Sequence, residues 1–432
     1  MTADAPAHDA ELRRPDAPAA GFSPPPYPYD RLQALAALAA LSPGGIVDLS
    51  VGTPCDAPPA EVVAALATSG SERGYPSSVG APALREAAAR YLDRRFGVTV
   101  DASGVAACIG TKELVASTAW YLRLRRPERD VVLGPALAYP TYAMGATFAG
   151  CRYVGVPATP DGSLDVGSVS EDDASKALLL WVNSPANPHG ARSDLASLAA
   201  WGRSRAVPVF SDECYAEFTW DGPRRSILEA GADEVVAVHS LSKRSNLAGV
   251  RAGFYTGDAE LVSYLSAIRT HAGLMVPGPV QTAAVVALDD DAHVEVQRSR
   301  YLGRLEAARR AFDAIGLDAP MPDGGFYLWV AVPDWARPAS DGGGDAGEGA
   351  GAWVLAEVLA RAAGVLVSPG EFYGAPGAGF VRVALVVPDE RLDPALERLV
   401  AAGPELPALA AEVAATTVRG TAAVLRGAGS GR

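Results

Sequence analysis

Between residues 59 and 290 short apolar runs alternate with helical stretches, and no other feature constrains this chain as tightly. The apolar runs fall near 105–109, 130–134, 177–183, 207–213, 234–240 and 251–257, with helical patterns at 82–96, 112–124, 141–149 and 193–204. Runs such as ALLLWVN and VVAVHSL are apolar at nearly every position, which suits strands covered on both faces. Parallel neighbours of that kind need crossover connections, and helices supply them, so the pattern predicts an α/β fold with a mainly parallel sheet between helical layers. Beyond residue 290 the order changes. A long helical stretch at 291–315 is followed by the strands FYLWVAV and FVRVALV with a helix at 352–363 between them, the pattern of a smaller α+β domain.

The domain reading follows from these shifts. Residues 1–27 are expected to be a flexible Pro- and Ala-rich arm. Residues 28–55, with an alanine-rich helix near 30–41 and a short strand IVDLSVG at 46–52, form the N-terminal part of the small domain. Residues 56–290 make the large domain and 291–403 the C-terminal part of the small one, with a glycine-rich insertion at 337–351 and an alanine-rich tail at 404–432.

Composition excludes several classes of function. With 50 acidic against 37 basic residues the net charge is -13, and such a field repels a phosphate backbone or an anionic membrane surface. No apolar run reaches membrane-spanning length, and the N-terminus lacks the basic start and apolar core of a secretory signal. Cys55, Cys108, Cys151 and Cys214 show no metal-ligand spacing, so we expect reduced thiols in a cytoplasm, no disulfide and no metal. Lysine is scarce: it occurs only at positions 112, 176 and 243.

One of those lysines has unusual company. Lys243 follows the apolar run VVAVHSL in HSLSKRSNLAGVRAGF, among small hydroxyl residues and eight residues before Arg251. The run VPVFSDECY ends a strand at Asp212, with Tyr215 three residues later, and ALLLWVN leads into NSPANPHG, which places Asn187 in a Pro- and Gly-rich turn. Three strand ends of an open α/β sheet converge on one rim, where such sheets bind ligands. A lysine amine, a carboxylate, a phenol, an amide and hydroxyls with an arginine together suit pyridoxal phosphate. Its aldehyde condenses with a lysine (Lys243), its ring nitrogen needs a carboxylate (Asp212), and its phenolic oxygen needs donors (Tyr215 and Asn187). Its phosphate needs hydroxyls, an arginine and free backbone N–H groups, available at Ser240, Ser242, Arg251 and the Gly110-Thr111-Lys112 turn opening a helix. Lys112 is expected to give its backbone N–H there.

Over residues 28–403 these ordered motifs resemble the class I/II, fold type I aminotransferases. The resemblance implies a large domain built on a seven-stranded sheet, a smaller α+β domain, pyridoxal phosphate held on Lys243, and transfer of an amino group to a 2-oxo acid such as 2-oxoglutarate. It further implies that Tyr139, in LAYPTY, stacks on the cofactor ring and that Arg382, in FVRVAL, grips the substrate α-carboxylate beside Gly52, in SVGTP. Tyr75, in GYPSSVG, matches a tyrosine that reaches the phosphate of a neighbouring subunit, which implies a homodimer with shared sites. Within the family, SLSKRSNLAGVRAGF, SDECYAEFTWDG, IVDLSVGTPCDAPP and THAGLMVPGPVQ look most like the actinobacterial type of N-succinyldiaminopimelate aminotransferase of lysine biosynthesis. One departure stands out: the turn N-P-T-G of the family reads NPHG here, with His189 in place of threonine.

Blander readings exist for each residue. Asp212 could be a helix cap, Arg382 a solvent-facing strand residue, and Tyr75 and Tyr139 packing aromatics beside prolines. Arg244, Arg269 and His271 are further candidates for a second substrate carboxylate. The rival functions are a general aspartate- or aromatic-type aminotransferase, a pyridoxal phosphate β-lyase of the same fold, and a binding module without activity.

Overall fold

The computed structural model describes residues 22–415 except 72 and 338–348. Most of the expected arm, most of the glycine-rich insertion and the tail beyond 415 therefore lie outside the described residues. Twelve strands occur among the described residues. β1 is Val47–Asp48; β2 Val105–Cys108, β3 Val131–Pro135, β4 Arg152–Val156, β5 Ala177–Asn183, β6 Val209–Asp212, β7 Val235–Ser240 and β8 Gly253–Gly257 follow. The last four are β9 Tyr327–Ala331, β10 Val365–Leu366, β11 Ser368–Pro369 and β12 Phe380–Ala384.

Strands β2 to β8 form a seven-stranded sheet in the order β2-β8-β7-β6-β5-β3-β4, in which β8 alone runs antiparallel to its neighbours. β5, β6 and β7 are buried at every residue, as strands between two helical layers must be. Side chains alternate between the faces. Val105, Leu133, Leu180 and Val209 pack with Leu84 and Leu92 of the helix Pro82–Phe96, while Val132, Leu179, Phe210 and Val236 pack with Leu114 and Leu122 of the helix Thr111–Arg125. Each such buried aliphatic side chain contributes about 1.5–3 kcal/mol.

Local signals set the helix ends. Pro82 opens its helix and Gly97 closes it at φ +67, a left-handed conformation that glycine adopts without strain. Asp194 caps the helix Leu195–Arg205 by accepting the Ser197 N–H at 3.1 Å.

The second layer system is an antiparallel sheet, β11-β12-β9, packed against the helices Ala292–Ala314, Ala350–Ala363 and Asp389–Ala402. Leu32, Leu35, Val47 and Leu49 from near the start of the described chain share this core with Leu305, Leu359, Val381 and Leu396. β1 pairs with β10, Val47 opposite Val365.

Besides short elements that the sequence reading did not name, the structure departs from it notably at β4, at 46–52 and in the tail. The apolar run at 130–134 is followed by an unforeseen edge strand, β4, whose RYVGV is only partly buried, with Arg152 and Gly155 leaving the apolar Tyr153, Val154 and Val156 without a continuous run. The segment at 46–52 pairs only at Val47–Asp48: Asp48 Oδ1 accepts the Ser50 N–H at 2.8 Å, and the Ser50 carbonyl accepts from Arg382 and Ser368 side chains instead of a strand. In the tail, residues 406–415 are helical, with Leu406, Ala410 and Val413 turned into the small-sheet core.

Candidate active site

The carboxyl ends of β5, β6 and β7 border a cavity of about 630 Å³. Asn183 and Asp212 are the last residues of β5 and β6 and are register partners. The Asn183 amide donates to the Asp212 carbonyl at 2.9 Å, and its oxygen accepts the Asn187 N–H at 2.7 Å, so one side chain ties the NPHG turn to the neighbouring strand.

Asp212 is buried, and its carboxylate is held by neutral donors, the Tyr142 hydroxyl at 2.8 Å and the Cys214 N–H at 3.2 Å. Burial raises its pKa, with those hydrogen bonds opposing. A buried carboxylate served only by neutral donors favours a cationic N–H placed against it.

Lys243 lies on the one-turn helix Leu241–Arg244 that follows β7, and its ammonium donates to the Gly52 carbonyl. Burial lowers its pKa to about 8; Arg382 and Arg251 push the same way, and Cys214 and Asp212 push back. An amine so placed is partly free base near neutrality, which is what a nucleophile or general base needs.

The opposite wall carries a cation without a carboxylate. Arg382, on β12, is 2% exposed and donates to Asn187 Oδ1 at 2.8 Å, the Ser50 carbonyl at 2.6 Å and the Tyr29 hydroxyl at 3.2 Å. Its guanidinium packs over the rings of Tyr327 (4.2 Å) and Tyr373 (4.7 Å), and its Nε has no partner, a buried donor left for a ligand. Tyr215 and Tyr327 share a hydrogen bond at 2.9 Å. Gly52 is required here, because a Cβ at that position would lie 2.0 Å from the Tyr327 hydroxyl oxygen.

At the far end Gly110 precedes the helix Thr111–Arg125 with φ +72, and a Cβ there would lie 2.2 Å from Arg251 Nη2. The Arg251 guanidinium thus closes on a glycine turn whose helix presents unpaired N–H groups. Ser240 and Ser242 border the same end, the Ser242 N–H donating to Ser240 Oγ at 3.1 Å. Hydroxyls, guanidinium and helix N–H groups there form an anion cradle that fits a phosphate.

Of the residues singled out from sequence, Lys243, Asp212, Tyr215, Asn187, Tyr139, Thr111, Lys112, Ser240, Ser242, Arg251, Arg382 and Gly52 all line this cavity, and Gly110 abuts it through Arg251. Lys112 brings more than the backbone expected of it: its ammonium also borders the cavity, 3.4 Å from the Tyr27 hydroxyl and over the rings of Tyr27 and Tyr139. Tyr75 is elsewhere. It is 99% exposed and lines a separate groove with Pro76 and Gln281, so a single chain does not bring it to the cavity.

His189 does not line the cavity. Its Nδ1 accepts the Ala191 N–H at 3.2 Å, and burial lowers its pKa to about 4 against the pull of Asp323, so it acts as a neutral acceptor inside the turn. Arg269 is bound by Glu113 and Arg244 by Glu217 and Asp291, and neither they nor His271 reach the cavity.

Sequence reasoning missed Asn183, Tyr142, Tyr327 and Tyr29. Asn183 could have been found, being the one polar residue in ALLLWVN. Tyr142 lies one helical turn beyond Tyr139, also a usable signal. Tyr29 and Tyr327 come from distant segments and carry no local mark.

Comparison with known proteins identifies the family. The family described as aminotransferase class I and II matches residues 45–399. The chain is 42% identical over 384 residues to the 4-dedimethylamino-4-oxo-anhydrotetracycline transaminase OxyQ of Streptomyces rimosus, covering 87% of this chain and 99% of that protein. It is 35% identical over 371 residues to the LL-diaminopimelate aminotransferase of Aquifex aeolicus, covering 82% and 90%. The crystal structure of an aminotransferase from Neisseria meningitidis superposes with a TM-score of 0.77 at 30% identity, covering 87% of this chain and 97% of that one.

Proposed function

The chain belongs to the class I and II aminotransferases, enzymes that use pyridoxal phosphate, and we propose that it moves the amino group of N-succinyl-LL-2,6-diaminopimelate to 2-oxoglutarate in lysine biosynthesis. The observation that carries the substrate reading is the pair of cations on one cavity. Arg382 is suited to an α-carboxylate, and Lys112, at the rim beside Tyr27 and Tyr139, is suited to a second, distal anionic group. The relatedness to an LL-diaminopimelate aminotransferase supports a substrate of the same class.

Pyridoxal phosphate, when bound, supplies an aldehyde that carries the amino group and a ring that takes up the electrons of the substrate α-carbon. Lys243 would hold the cofactor and, as a free amine, move the proton from the α-carbon; burial lowers its pKa to about 8, which leaves it free enough to act and still basic enough to accept. Asp212, oriented by Tyr142 and Cys214, holds a proton on the ring nitrogen. Tyr215 and Asn187 would hold the ring oxygen, and Tyr139 would cover the ring. Gly110, Thr111, Lys112 (through its N–H), Ser240, Ser242 and Arg251 would hold the phosphate. Asn187 also aims Arg382 at the substrate carboxylate, and Gly52 leaves room for Tyr327 while its carbonyl keeps Lys243 in reach.

In this reading the enzyme is a cytoplasmic homodimer in which Tyr75 crosses to the partner's phosphate cradle, its full exposure in one chain being the supporting observation. Among the described residues no helix is long and apolar enough to cross a membrane.

A visible absorbance that bleaches on addition of N-succinyl-diaminopimelate and returns with 2-oxoglutarate is the expected result. Bleaching only with aspartate or aromatic amino acids overturns the substrate reading. A second reading, transfer involving a larger aromatic substrate, is favoured by the phenols of Tyr27, Tyr29, Tyr139 and Tyr327 around the cavity and by the 42% identity to a transaminase of an oxo-anhydrotetracycline.

A further inference from the structure

The three residues after Lys243 all turn away from the cavity and bind one place. Arg244 is 3% exposed, and its guanidinium donates to Glu217 Oε1 at 3.4 Å, to the Ala287 carbonyl, to the Asp290 carbonyl at 3.2 Å and to Asp291 Oδ1 at 3.0 Å. Ser245 Oγ shares a hydrogen bond with His293 Nε2 at 2.9 Å, and the other ring nitrogen of His293 is bonded to Asp290 at 2.8 Å. The Asn246 amide donates to Gln297 Oε1 at 3.1 Å and accepts from the Tyr301 hydroxyl at 3.4 Å. Residues 287–291 are the junction between the helix Gly278–Asp289 on the large sheet and the helix Ala292–Ala314 of the small one, and 293, 297 and 301 are successive turns of the latter.

A helix of one turn has almost no stability of its own, since nucleation costs more than its few bonds return. The helix Leu241–Arg244 therefore takes its position from what grips its ends. Ser240 caps one end; the junction grips the other. Asn246 adds a backbone requirement, standing at φ +55, which asparagine tolerates better than most residues. The same long helix reaches the opening of the cavity wall, because Gln297 donates to Asp56 at 2.8 Å and Arg304 binds both oxygens of Asp56, four residues beyond Gly52.

We propose that Arg244, Ser245 and Asn246 are positioning residues for Lys243: they fasten its one-turn helix to the start of the helix Ala292–Ala314, so that the reach of the amine depends on how the small sheet sits against the large one. This rests on the reading of Lys243 as the cofactor-bearing lysine. It goes beyond that reading in making the junction between the two layer systems a determinant of the amine's placement, and a misplacement of about 1 Å costs up to about 100-fold in rate.

The test uses the cofactor-loaded enzyme. Asn246→Gly keeps the left-handed backbone and removes the amide; Gln297→Met removes its partner at similar volume. Each is expected to lower kcat about tenfold with the amino-donor KM within about twofold, and to move the pH midpoint of the resting visible absorbance by about half a unit or more. The double variant is expected to be no worse than the poorer single, the mark of one shared interaction. Wild-type kcat and an unmoved midpoint in both variants, or losses that add in the double, overturn the proposal. If either variant melts far below the parent, Ser245→Ala, which deletes only a hydroxyl, is read by the same two measurements with the same expected directions. A parent enzyme with no visible absorbance overturns the reading of Lys243 itself, whereas a normal parent spectrum with unmoved variants overturns the latch alone.

Discussion

The cavity has two ends built in different ways. At one end Asp212, Asn183, Ser240 and Lys243 stand on or just beyond the carboxyl ends of adjacent strands, held by a sheet whose central residues are wholly buried. At the other, Tyr27, Tyr29, Lys112, Tyr327 and Arg382 come from four separate segments, two of them the paired strands β9 and β12, and close on the cavity through side-chain contacts. A rigid frame suits chemistry that tolerates little displacement, while an assembled wall can change its members without disturbing that frame. Substitutions at the strand-end side should therefore abolish the reaction, and those at the assembled side should weaken substrate binding, uniformly at Arg382 and selectively at Lys112.

The largest effect is expected for Lys243→Ala, which should reduce turnover by about 10⁴-fold or more in a single-turnover assay while the protein still binds pyridoxal phosphate. Substantial remaining activity would place the chemistry elsewhere and erase the contrast. Arg382→Lys keeps the charge but loses the fork that meets a carboxylate, and kcat/KM for every α-amino acid should fall about 100-fold. Lys112→Gln sharpens the comparison: KM should rise about tenfold for donors with a distal carboxylate and stay level for those without, as steady-state kinetics on paired substrates would reveal. An equal loss for both would move Lys112 to the phosphate end.

The smallest effect is on stability. Because burial lowers the Lys243 amine to about 8, folded and unfolded chains both carry its proton below that pH and the desolvation cost is then fully present. Between about 8 and the ordinary lysine value the folded chain has released a proton that the unfolded chain keeps, so this cost fades as pH rises. Lys243→Met should accordingly raise the melting temperature of the cofactor-free protein at pH 7 by roughly 1–3 °C, with the gain shrinking toward pH 10. A constant gain across that range would mean that packing, not charge, sets it.

The same contrast explains what could be read from the sequence. ALLLWVN, VPVFSD and VVAVHS are apolar runs that stop at a polar residue, so pattern alone marks both the strand and the point where its chemistry begins. The mainly parallel sheet was legible for that reason, as was the gathering of Asp212, Tyr215, Asn187 and Lys243 on one rim. Of the assembled wall, Arg382 was legible only through the family resemblance and Lys112 only as a backbone donor, while Tyr327 was not, since it meets Tyr215 across 112 positions and nothing local to either announces it. β4 was lost because Arg152 and Gly155 interrupt its apolar residues, so this short edge strand shows no continuous run. His189 stood out in the sequence only as a departure from the family turn, and the structure shows it as a neutral acceptor of the Ala191 N–H.

The pairing of β1 with β10 carries a consequence for biosynthesis. Ser50 and Ser368 are 318 positions apart, and the carbonyl of Ser50 also supports Arg382. At roughly 5–20 residues per second a ribosome needs roughly 15–60 s to make the later partner after the earlier one has emerged. Through that interval Leu32, Leu35 and Leu49 have no core to enter. The large sheet can form while they wait, so the segment from Leu32 to Leu49, although made before that sheet, is among the last to be buried, and that apolar stretch is the one a nascent-chain chaperone would have reason to shield.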